Sequence, residues 1–145
     1  LQKTLTNVQQ IINTKISEYN DIVYNNTKKA PQLTLQPKKY IYYCPDDEGT
    51  GSRYSGLILF DLAVLACTKL PVLFHDSLIL KNIEDKAIEK IMLLYDSFSN
   101  KQIFIAFDKK TAYTEKTQEI VIKNKVLELS PNGHELFGKQ WSRLN

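Results

Sequence analysis

Two short, continuous apolar runs constrain the fold of this chain more than any other feature. The first is LPVLF at residues 70–74, and the second is QIFIAF at residues 102–107. Continuous apolar character over so few residues is typical of a strand that is covered on both faces of its sheet. A helical pattern at residues 83–98 lies between the two runs, so we predict a βαβ unit with two parallel strands.

The other periodic segments predict a single α/β domain with mostly parallel, buried strands covered by helices. The chain has 145 residues, of which 43% are apolar, and this is enough for one sizeable core. Beyond the βαβ unit we expect helices at residues 5–23, 54–68 and 113–122, a hairpin of strands at 33–35 and 40–44, and a strand at 126–129.

The opening helix carries its apolar residues at three- and four-residue steps, which form one stripe. This stripe either packs against the sheet of this domain or continues a coiled coil whose second strand is missing. The chain begins at Leu1 without an initiator methionine and is helical at once. We therefore expect a piece of a longer polypeptide.

Composition excludes several classes of protein but selects no function. The 19 basic and 16 acidic residues leave a net charge of only +3, too weak a surplus to indicate nucleic acid by itself. No apolar run reaches the ~20 residues that span a bilayer, and no signal peptide is visible, so we expect a cytoplasmic protein without a membrane partner. Cys44 and Cys67 lack metal-ligand spacing, which favours small buried residues over a bridge or a zinc site.

Polar residues follow both predicted strands, where the ligands of open α/β sheets bind. His75, Asp76 and Ser77 follow the first strand, and Asp108 follows the second. The Asp76 carboxylate suits Mg²⁺, although an aspartate is also common at a helix N-cap. If the strands are neighbours, Asp108 lies close to Asp76, where it either shares a metal or balances a lysine at the rim.

A third polar segment, PDDEGTGSR at residues 45–53, precedes the most apolar helix. Gly49 and Gly51 allow the backbone to turn its N–H groups towards a ligand, and Thr50 or Ser52 can cap the helix, whose positive end attracts an anion. An ordinary turn between a strand and a helix fits the same residues. The segment lacks the G-x-x-x-x-G-K-[ST] spacing that wraps the phosphates of a nucleotide.

The order of these segments resembles the C-terminal lobe of the SMC-like and RecN-like P-loop ATPases of the ABC class. The similarity covers residues 40–141. It implies that residues 1–30 are the end of a coiled-coil arm and that residues 31–145 are the C-terminal lobe of the ATPase. More closely, the chain resembles a bacterial family of unknown function that forms this part of such ATPases, some of them in ABC three-component systems of phage defence. The resemblance rests on four segments, GTGSRYSGLILFDLAVL, LPVLFHDSLILKNIEDKAI, KQIFIAFDK and LFGKQW.

The resemblance implies roles for individual residues. Asp76 falls on the Walker B aspartate that positions Mg²⁺. Ser77 falls where the general pattern has a catalytic glutamate, and Asp108 where it has a switch histidine. The residues that would form the signature loop, which contacts the γ-phosphate of ATP held by the opposite subunit of a homodimer, are Gly49, Thr50, Gly51 and Ser52, followed by Arg53.

Two departures from the pattern bear on catalysis. A serine is a poor general base at neutral pH, and an aspartate accepts where a histidine could donate. Either another acid substitutes (Glu84, Asp85 or Asp108 itself), or hydrolysis is slow and the ATP-bound dimer is the functional state. Without a Walker A loop the isolated chain should not hydrolyse ATP, and the resemblance assigns that loop to an N-terminal lobe. DNA is a partner only by this analogy, because the pairs at 28–29, 38–39 and 109–110 are dispersed lysines.

Two other functions fit the same residues. The first is a metal-dependent phosphodiesterase built on Asp76 and Asp108, with His75 as a base or ligand and further acids from residues 46–48. The second is a non-catalytic interaction module that docks a partner through the first helix and through Phe137 and Trp141 in the tail.

Overall fold

The structure, a computed structural model, describes residues 1–45, 49–108, 113–131 and 133–138. Helices and strands alternate within these residues, as the sequence predicts for an α/β fold. In chain order the elements are α1 (Gln2–Tyr24), β1 (Gln32–Gln36), β2 (Lys39–Tyr43), α2 (Thr50–Cys67), β3 (Val72–His75), α3 (Ser77–Leu80), α4 (Asp85–Asp96), β4 (Gln102–Ile105) and α5 (Glu115–Asn124).

The helix α1 is the predicted amphipathic helix, and it packs on this domain along one face. Its buried residues are spaced as one helical face requires, and they are Ile12, Ile16, Asn20 and Val23. The buried Asn20 amide donates to the backbone carbonyl of Lys28 at 2.8 Å, so this polar group keeps a hydrogen bond inside the core. Asn25 then ends the helix in the left-handed conformation, at φ 51°.

The antiparallel pair β1–β2 is the predicted hairpin, and side chains of α1 cover its open edge. The pairing runs from Gln32 opposite Tyr43 to Gln36 opposite Lys39. The Asn13 side chain accepts from the Leu33 N–H at 2.8 Å and donates to the Leu33 carbonyl at 2.9 Å. These bonds replace the neighbouring strand that β1 lacks on this side.

The most apolar helix, α2, begins earlier than predicted. Thr50 is its first residue, so the segment from Thr50 to Arg53 forms its first turn and is not a loop before the helix. The Arg53 N–H bonds to the Gly49 carbonyl at 3.4 Å, and Gly49 is the N-cap. Polar residues and glycine hide this start in the sequence, because the apolar period begins only one turn later. The buried residues of α2 are Ser55, Gly56, Ile58, Leu59, Leu62, Ala63 and Leu65.

Strands β3 and β4 are parallel neighbours, which confirms the predicted βαβ unit. Val72 lies opposite Gln102, and His75 lies opposite Ile105. The helices α3 and α4 form the connection between the two strands, where the sequence predicted one helix. The parallel pairing brings the carboxyl ends of both strands to the same edge of the sheet.

The prediction that both strands are covered on both faces is wrong for this chain. Leu73 and Ile105 pack against the core, but Phe74 is 68% exposed and Phe104 is 37% exposed. The two phenylalanine rings stack on each other, with centroids 4.9 Å apart. The sheet has only these two strands among the described residues, so its second face has no covering layer.

Two apolar clusters hold the elements together. The larger cluster lies between α2, α4 and the inner face of the β3–β4 sheet, and its fully buried members include Ile58, Leu62 and Ile91. The smaller cluster joins α1, β1 and α2 through Ile16 and Leu33. Because α2 contributes to both clusters, it is the central element of the domain.

The end of the chain differs from the prediction. The helix α5 is present, but residues 126–129 form no strand and are exposed to solvent. A single antiparallel bridge between Ser130 and His134 follows. The apolar residues therefore predicted a strand where the described residues provide no neighbouring strand for pairing.

Candidate functional site

Asp76 leaves the carboxyl end of β3 at an exposed position. The last residue of the strand, His75, accepts a backbone hydrogen bond from Ala106 at 3.0 Å, so pairing with the β4 segment continues to this point. Asp76 then occupies the N-cap position of α3 without a side-chain capping bond. Its Oδ1 accepts a hydrogen bond from the Ser77 hydroxyl at 3.3 Å. The carboxylate is therefore positioned by the sheet and remains accessible to a ligand.

Asp108 lies at the same edge of the sheet and pairs with Lys81. The Lys81 Nζ is 2.7 Å from the Asp108 carboxylate, and both side chains are about half exposed. The hydrogen bond that Lys81 donates to Asp108, together with the charge of Asp108, raises the pKa of Lys81, and the charge of Asp76 acts in the same direction. The structure therefore pairs Asp108 with Lys81 at the edge where Asp76 also leaves the sheet, and the prediction that Asp108 balances a lysine is met by Lys81.

The predicted phosphate segment forms a shallow groove against the connection between α3 and α4. Ser52 lies in this groove, and the Lys28 Nζ donates to its hydroxyl at 3.1 Å. The volume of the groove is about 380 Å³. Its lining residues are Tyr24, Lys28, Gly49, Gly51, Ser52, Lys81, Asn82, Ile83 and Glu84.

Gly51 is required by packing at this place. A Cβ atom added to Gly51 would lie 2.5 Å from the backbone carbonyl oxygen of Asn82, closer than any ordinary contact. The first turn of α2 thus lies directly against the residue that follows Lys81. Because Lys81 also pairs with Asp108, the segment of Lys81 and Asn82 connects the acidic edge of the sheet to the glycine segment.

His75 lies on the other side of the strand, inside the core. It is 4% exposed, and both of its ring nitrogens have partners. Nδ1 lies 2.6 Å from the Tyr95 hydroxyl, and Nε2 lies 3.1 Å from the Asp61 carboxylate. His75 is therefore not presented beside Asp76 as a base or a metal ligand, which was its predicted role in a phosphodiesterase.

The edge of the sheet that carries Asp76 and Asp108, here called the acidic edge, offers only a few protein ligands to a hard cation. Carboxylate oxygens are suitable ligands for Mg²⁺, which keeps several waters when it binds near phosphates. Within the ranges that the structure covers, no group of three or more histidine, cysteine or acidic side chains could hold a metal ion. The acids at residues 46–48 that the phosphodiesterase would need lie outside the described residues.

Several other predicted features can be located in the structure. Cys44 and Cys67 are free thiols and are half-buried, in keeping with small packing residues. Phe137 is exposed, and Trp141 lies outside the described residues. The lysines at 28–29 and 38–39 are exposed, and the pair at 109–110 is not among the described residues. No helix in the described part of the chain has the length and apolarity to cross a membrane.

Sequence reasoning missed three features of this region. The role of Lys81 was not visible, because a lysine on a polar turn is usually solvated. The exposed Phe74 was predicted to be buried. The pairing of Asp61 with His75 joins residues 14 positions apart. The only signal for this pair was that Asp61 is the one charged residue in the apolar segment 54–68.

Comparison with solved structures shows which known fold this chain shares. An SMC ATPase chain, from work on ATP-driven dimerization and DNA-stimulated activation of SMC ATPases, matches with a TM-score of 0.62 at 12% identity, over 92% of this chain and 85% of that one. The SmcHead bound to the C-winged helix domain of ScpA matches with a TM-score of 0.57 at 14% identity, over 74% of this chain and 38% of that one. The fold is that of SMC ATPase heads, as the resemblance implied.

The chain belongs to the family described as "Uncharacterised protein conserved in bacteria (DUF2326)". The model of this family matches residues 7–141. A comparison with curated protein sequences found no match.

Proposed function

We propose that this chain is the C-terminal half of an SMC-like or RecN-like ATP-binding head, and that it supplies the signature loop and the Walker B strand for ATP-dependent dimerisation. The observation that carries the proposal is the parallel β3–β4 pair, which brings Asp76 and Asp108 to one accessible edge and leaves one apolar face open. This edge can supply side chains to a nucleotide site. The sequence lacks the Walker A loop that would wrap the phosphates of the nucleotide.

The open face of the sheet supports a missing N-terminal lobe. Parallel strands are found almost only in sheets that are covered on both faces. Phe74 and Phe104 stack on the open face, and Leu78 is exposed at the start of α3. The chain also covers well under half of the SmcHead chain. We assign the face to a lobe that carries the Walker A loop and adds further strands.

In the proposed site, Asp76 would hold Mg²⁺ through its carboxylate and bound water. When bound, Mg²⁺ would offset the negative charge of the ATP phosphates. Ser77 stands where a general base is expected, but its hydroxyl donates to Asp76 and a serine has no basic group at neutral pH. Asp108 is already paired with Lys81. These residues favour slow hydrolysis, with the ATP-bound dimer as the functional state.

The first turn of α2 would serve as the signature loop towards a second copy. Its backbone N–H groups are at the positive end of an 18-residue helix, where an anion is favoured. Gly49, Thr50 and Arg53 are exposed, so this end is accessible from outside the chain. Ser52 and Lys28 lie beside it and add a hydroxyl and a positive charge.

A second apolar stripe on α1 supports its assignment to a coiled-coil arm. Besides the buried face, Val8, Ile11 and Ile22 of α1 and the preceding Leu1 are exposed to solvent. These four residues fall at a and d positions of one heptad frame, which are the apolar positions of a two-helix coiled coil. The intervening positions are filled by an ion pair, Lys15 with Glu18. The helix therefore has one face for this domain and another for a partner helix.

The test is ATP binding by the chain with and without the Walker A lobe. We expect no tight Mg²⁺-dependent binding by the 145-residue chain alone and Mg²⁺-dependent binding and dimerisation when the lobe is present. Asp76→Asn should abolish the Mg²⁺ dependence, and Asp96→Asn is the matched control because Asp96 is a surface acid that pairs with Lys123. Tight Mg²⁺-ATP binding by the chain alone would refute the proposal.

A role in DNA transactions or in phage defence remains a prediction from the resemblance. Its test is DNA binding by the complete head in the presence and absence of ATP. ATP-dependent binding would support the DNA-related role, and equal binding without ATP would count against it.

A further inference from the structure

A buried chain of hydrogen bonds joins three elements directly behind Asp76. Asp61 belongs to α2, His75 is the last residue of β3, and Tyr95 belongs to α4. The Asp61 carboxylate contacts His75 Nε2 at 3.1 Å, and the Tyr95 hydroxyl contacts His75 Nδ1 at 2.6 Å. His75 and Tyr95 are almost completely buried, so their polar atoms cannot rely on water for hydrogen bonds. The contacts with each other and with Asp61 provide these bonds instead.

The chemistry of the partners assigns the direction of each bond. An ionised carboxylate can only accept, so the Nε2–H of His75 donates to Asp61. Burial raises the pKa of the Tyr95 phenol, which therefore keeps its proton. In the Nε2–H tautomer, Nδ1 is the acceptor nitrogen, and the Tyr95 hydroxyl donates to it. Every polar atom of the ring is then satisfied in a single tautomer and a single orientation.

This fixed ring limits the direction of the next residue. Successive side chains of a strand point to opposite faces, so a histidine held on the inner face requires the following residue to leave on the outer side. The His75 carbonyl also accepts from the Ala106 N–H, which fixes the backbone at the same point. The backbone and the side chain of the residue before Asp76 are thus both anchored.

We infer that His75 is a positioning residue for Asp76, and that its imidazole, held between Asp61 and Tyr95, sets the direction in which the Asp76 carboxylate leaves the sheet. The inference rests on the proposed function only for the cation that Asp76 would hold. It also connects α2, which begins with the proposed signature loop, to the strand that ends in the proposed metal ligand.

The experiment compares two tyrosine variants of the 145-residue chain by NMR. Tyr95→Phe removes only the hydroxyl that bonds His75. Tyr42→Phe is the matched control, because the Tyr42 hydroxyl also makes a 2.6 Å bond inside the domain, but to the Gly56 carbonyl and not to His75. Both variants lose one phenolic hydrogen bond, so a purely structural effect should be similar in the two.

Three signals are measured. The ¹⁵N shifts of His75 report its tautomer, three-bond couplings report the χ1 rotamer of Asp76, and Mn²⁺ broadening of the Asp76 and Ser77 amides reports cation binding. In the wild type and in Tyr42→Phe we expect the Nε2–H tautomer and one dominant rotamer. In Tyr95→Phe we expect rotamer averaging and a Mn²⁺ midpoint raised about tenfold, the lower end of the loss caused by outer ligands of metal sites.

Each outcome decides a separate claim. A single unchanged Asp76 rotamer in Tyr95→Phe, or an averaged rotamer already in the wild type, would overturn the positioning role. Absence of Mn²⁺ broadening in the wild type would count against the proposed metal role of Asp76, while the rotamer comparison would still decide the inference. If Tyr95→Phe does not fold, Asp61→Asn and Asp61→Ala replace it. The asparagine keeps an acceptor for Nε2–H and should preserve the rotamer, and the alanine should not.

Discussion

Replacing Gly51 by alanine should destabilise the domain even though Gly51 lies in a helix. The new Cβ would be 2.5 Å from the Asn82 carbonyl oxygen. Relief of this contact requires a backbone displacement of about 1 Å, and overpacking of this kind costs about 1–3 kcal/mol. Alanine returns up to about 1 kcal/mol through its higher helix propensity. We therefore expect a net loss of about 1–2 kcal/mol in the free energy of unfolding.

Thermal and urea unfolding of the chain measure this loss. For a domain of this size, 1 kcal/mol corresponds to roughly 2–4 °C in Tm, so Gly51→Ala should melt about 2–8 °C below the wild type. The control is Gly49→Ser, because Gly49 has an ordinary φ of −77° at the N-cap, where serine is preferred. Its Tm should be equal or slightly higher. A Gly51→Ala protein as stable as the wild type would show that Asn82 does not restrict this position.

Lys81→Met should strengthen cation binding at the acidic edge, because it removes the positive charge that pairs with Asp108. In a Mn²⁺ titration followed by EPR, its midpoint should be roughly threefold to tenfold lower than that of the wild type. An unchanged or higher midpoint would contradict this role of the lysine. Phe74→Ser should lower the stability of the isolated chain by only about 1 kcal/mol or less, because the substitution removes little beyond the stack of Phe74 on Phe104. In pull-down experiments the same variant should no longer bind the Walker A lobe. If the Phe74→Ser variant still binds the lobe, the open face of the sheet is not part of the proposed interface. Ile58→Ala should cost about 2–5 kcal/mol in urea unfolding, because Ile58 is fully buried, and a loss below about 1 kcal/mol would contradict its place in the core.

The parallel strand pair and its acidic edge could be predicted because their signals are local. Continuous apolar residues identify β3 and β4, and the intervening helical pattern requires a crossover connection between parallel strands. Parallel pairing then brings Asp76 and Asp108 to one edge without any further information. The same reasoning predicted the amphipathic helix α1 with a single apolar stripe. It did not decide whether this stripe packs against the sheet of the domain or against a second helix of a coiled coil. The structure shows that α1 serves this domain on one face and leaves a second apolar stripe exposed.

The features that could not be predicted depend on which layers are present. An apolar strand has the same sequence whether its second layer belongs to the chain or to another lobe, so the exposure of Phe74 is invisible to periodicity. The strand predicted at residues 126–129 failed for a related reason, because alternation of residues does not supply a pairing partner. The contact between His75 and Asp61 depends on how α2 crosses β3, which is a tertiary property that neither segment encodes alone.

Variants of Gly49 and Gly51 distinguish between the two functional interpretations of this chain, an ATPase head and a purely structural module. In the structural interpretation, both glycines serve folding, and their double substitution should impair folding and not an ATP-dependent dimer. Gly51 meets this expectation through its contact with Asn82, but Gly49 is exposed at an N-cap with a conformation open to other residues. A Gly49→Ser protein that folds normally, yet no longer dimerises with Mg²⁺-ATP when the Walker A lobe is present, would be explained by close approach of a phosphate to the backbone. Normal dimerisation by the same variant would instead show that no phosphate approaches the Gly49 backbone closely. Absence of a Mg²⁺-ATP-dependent dimer already in the wild type would favour the interaction module.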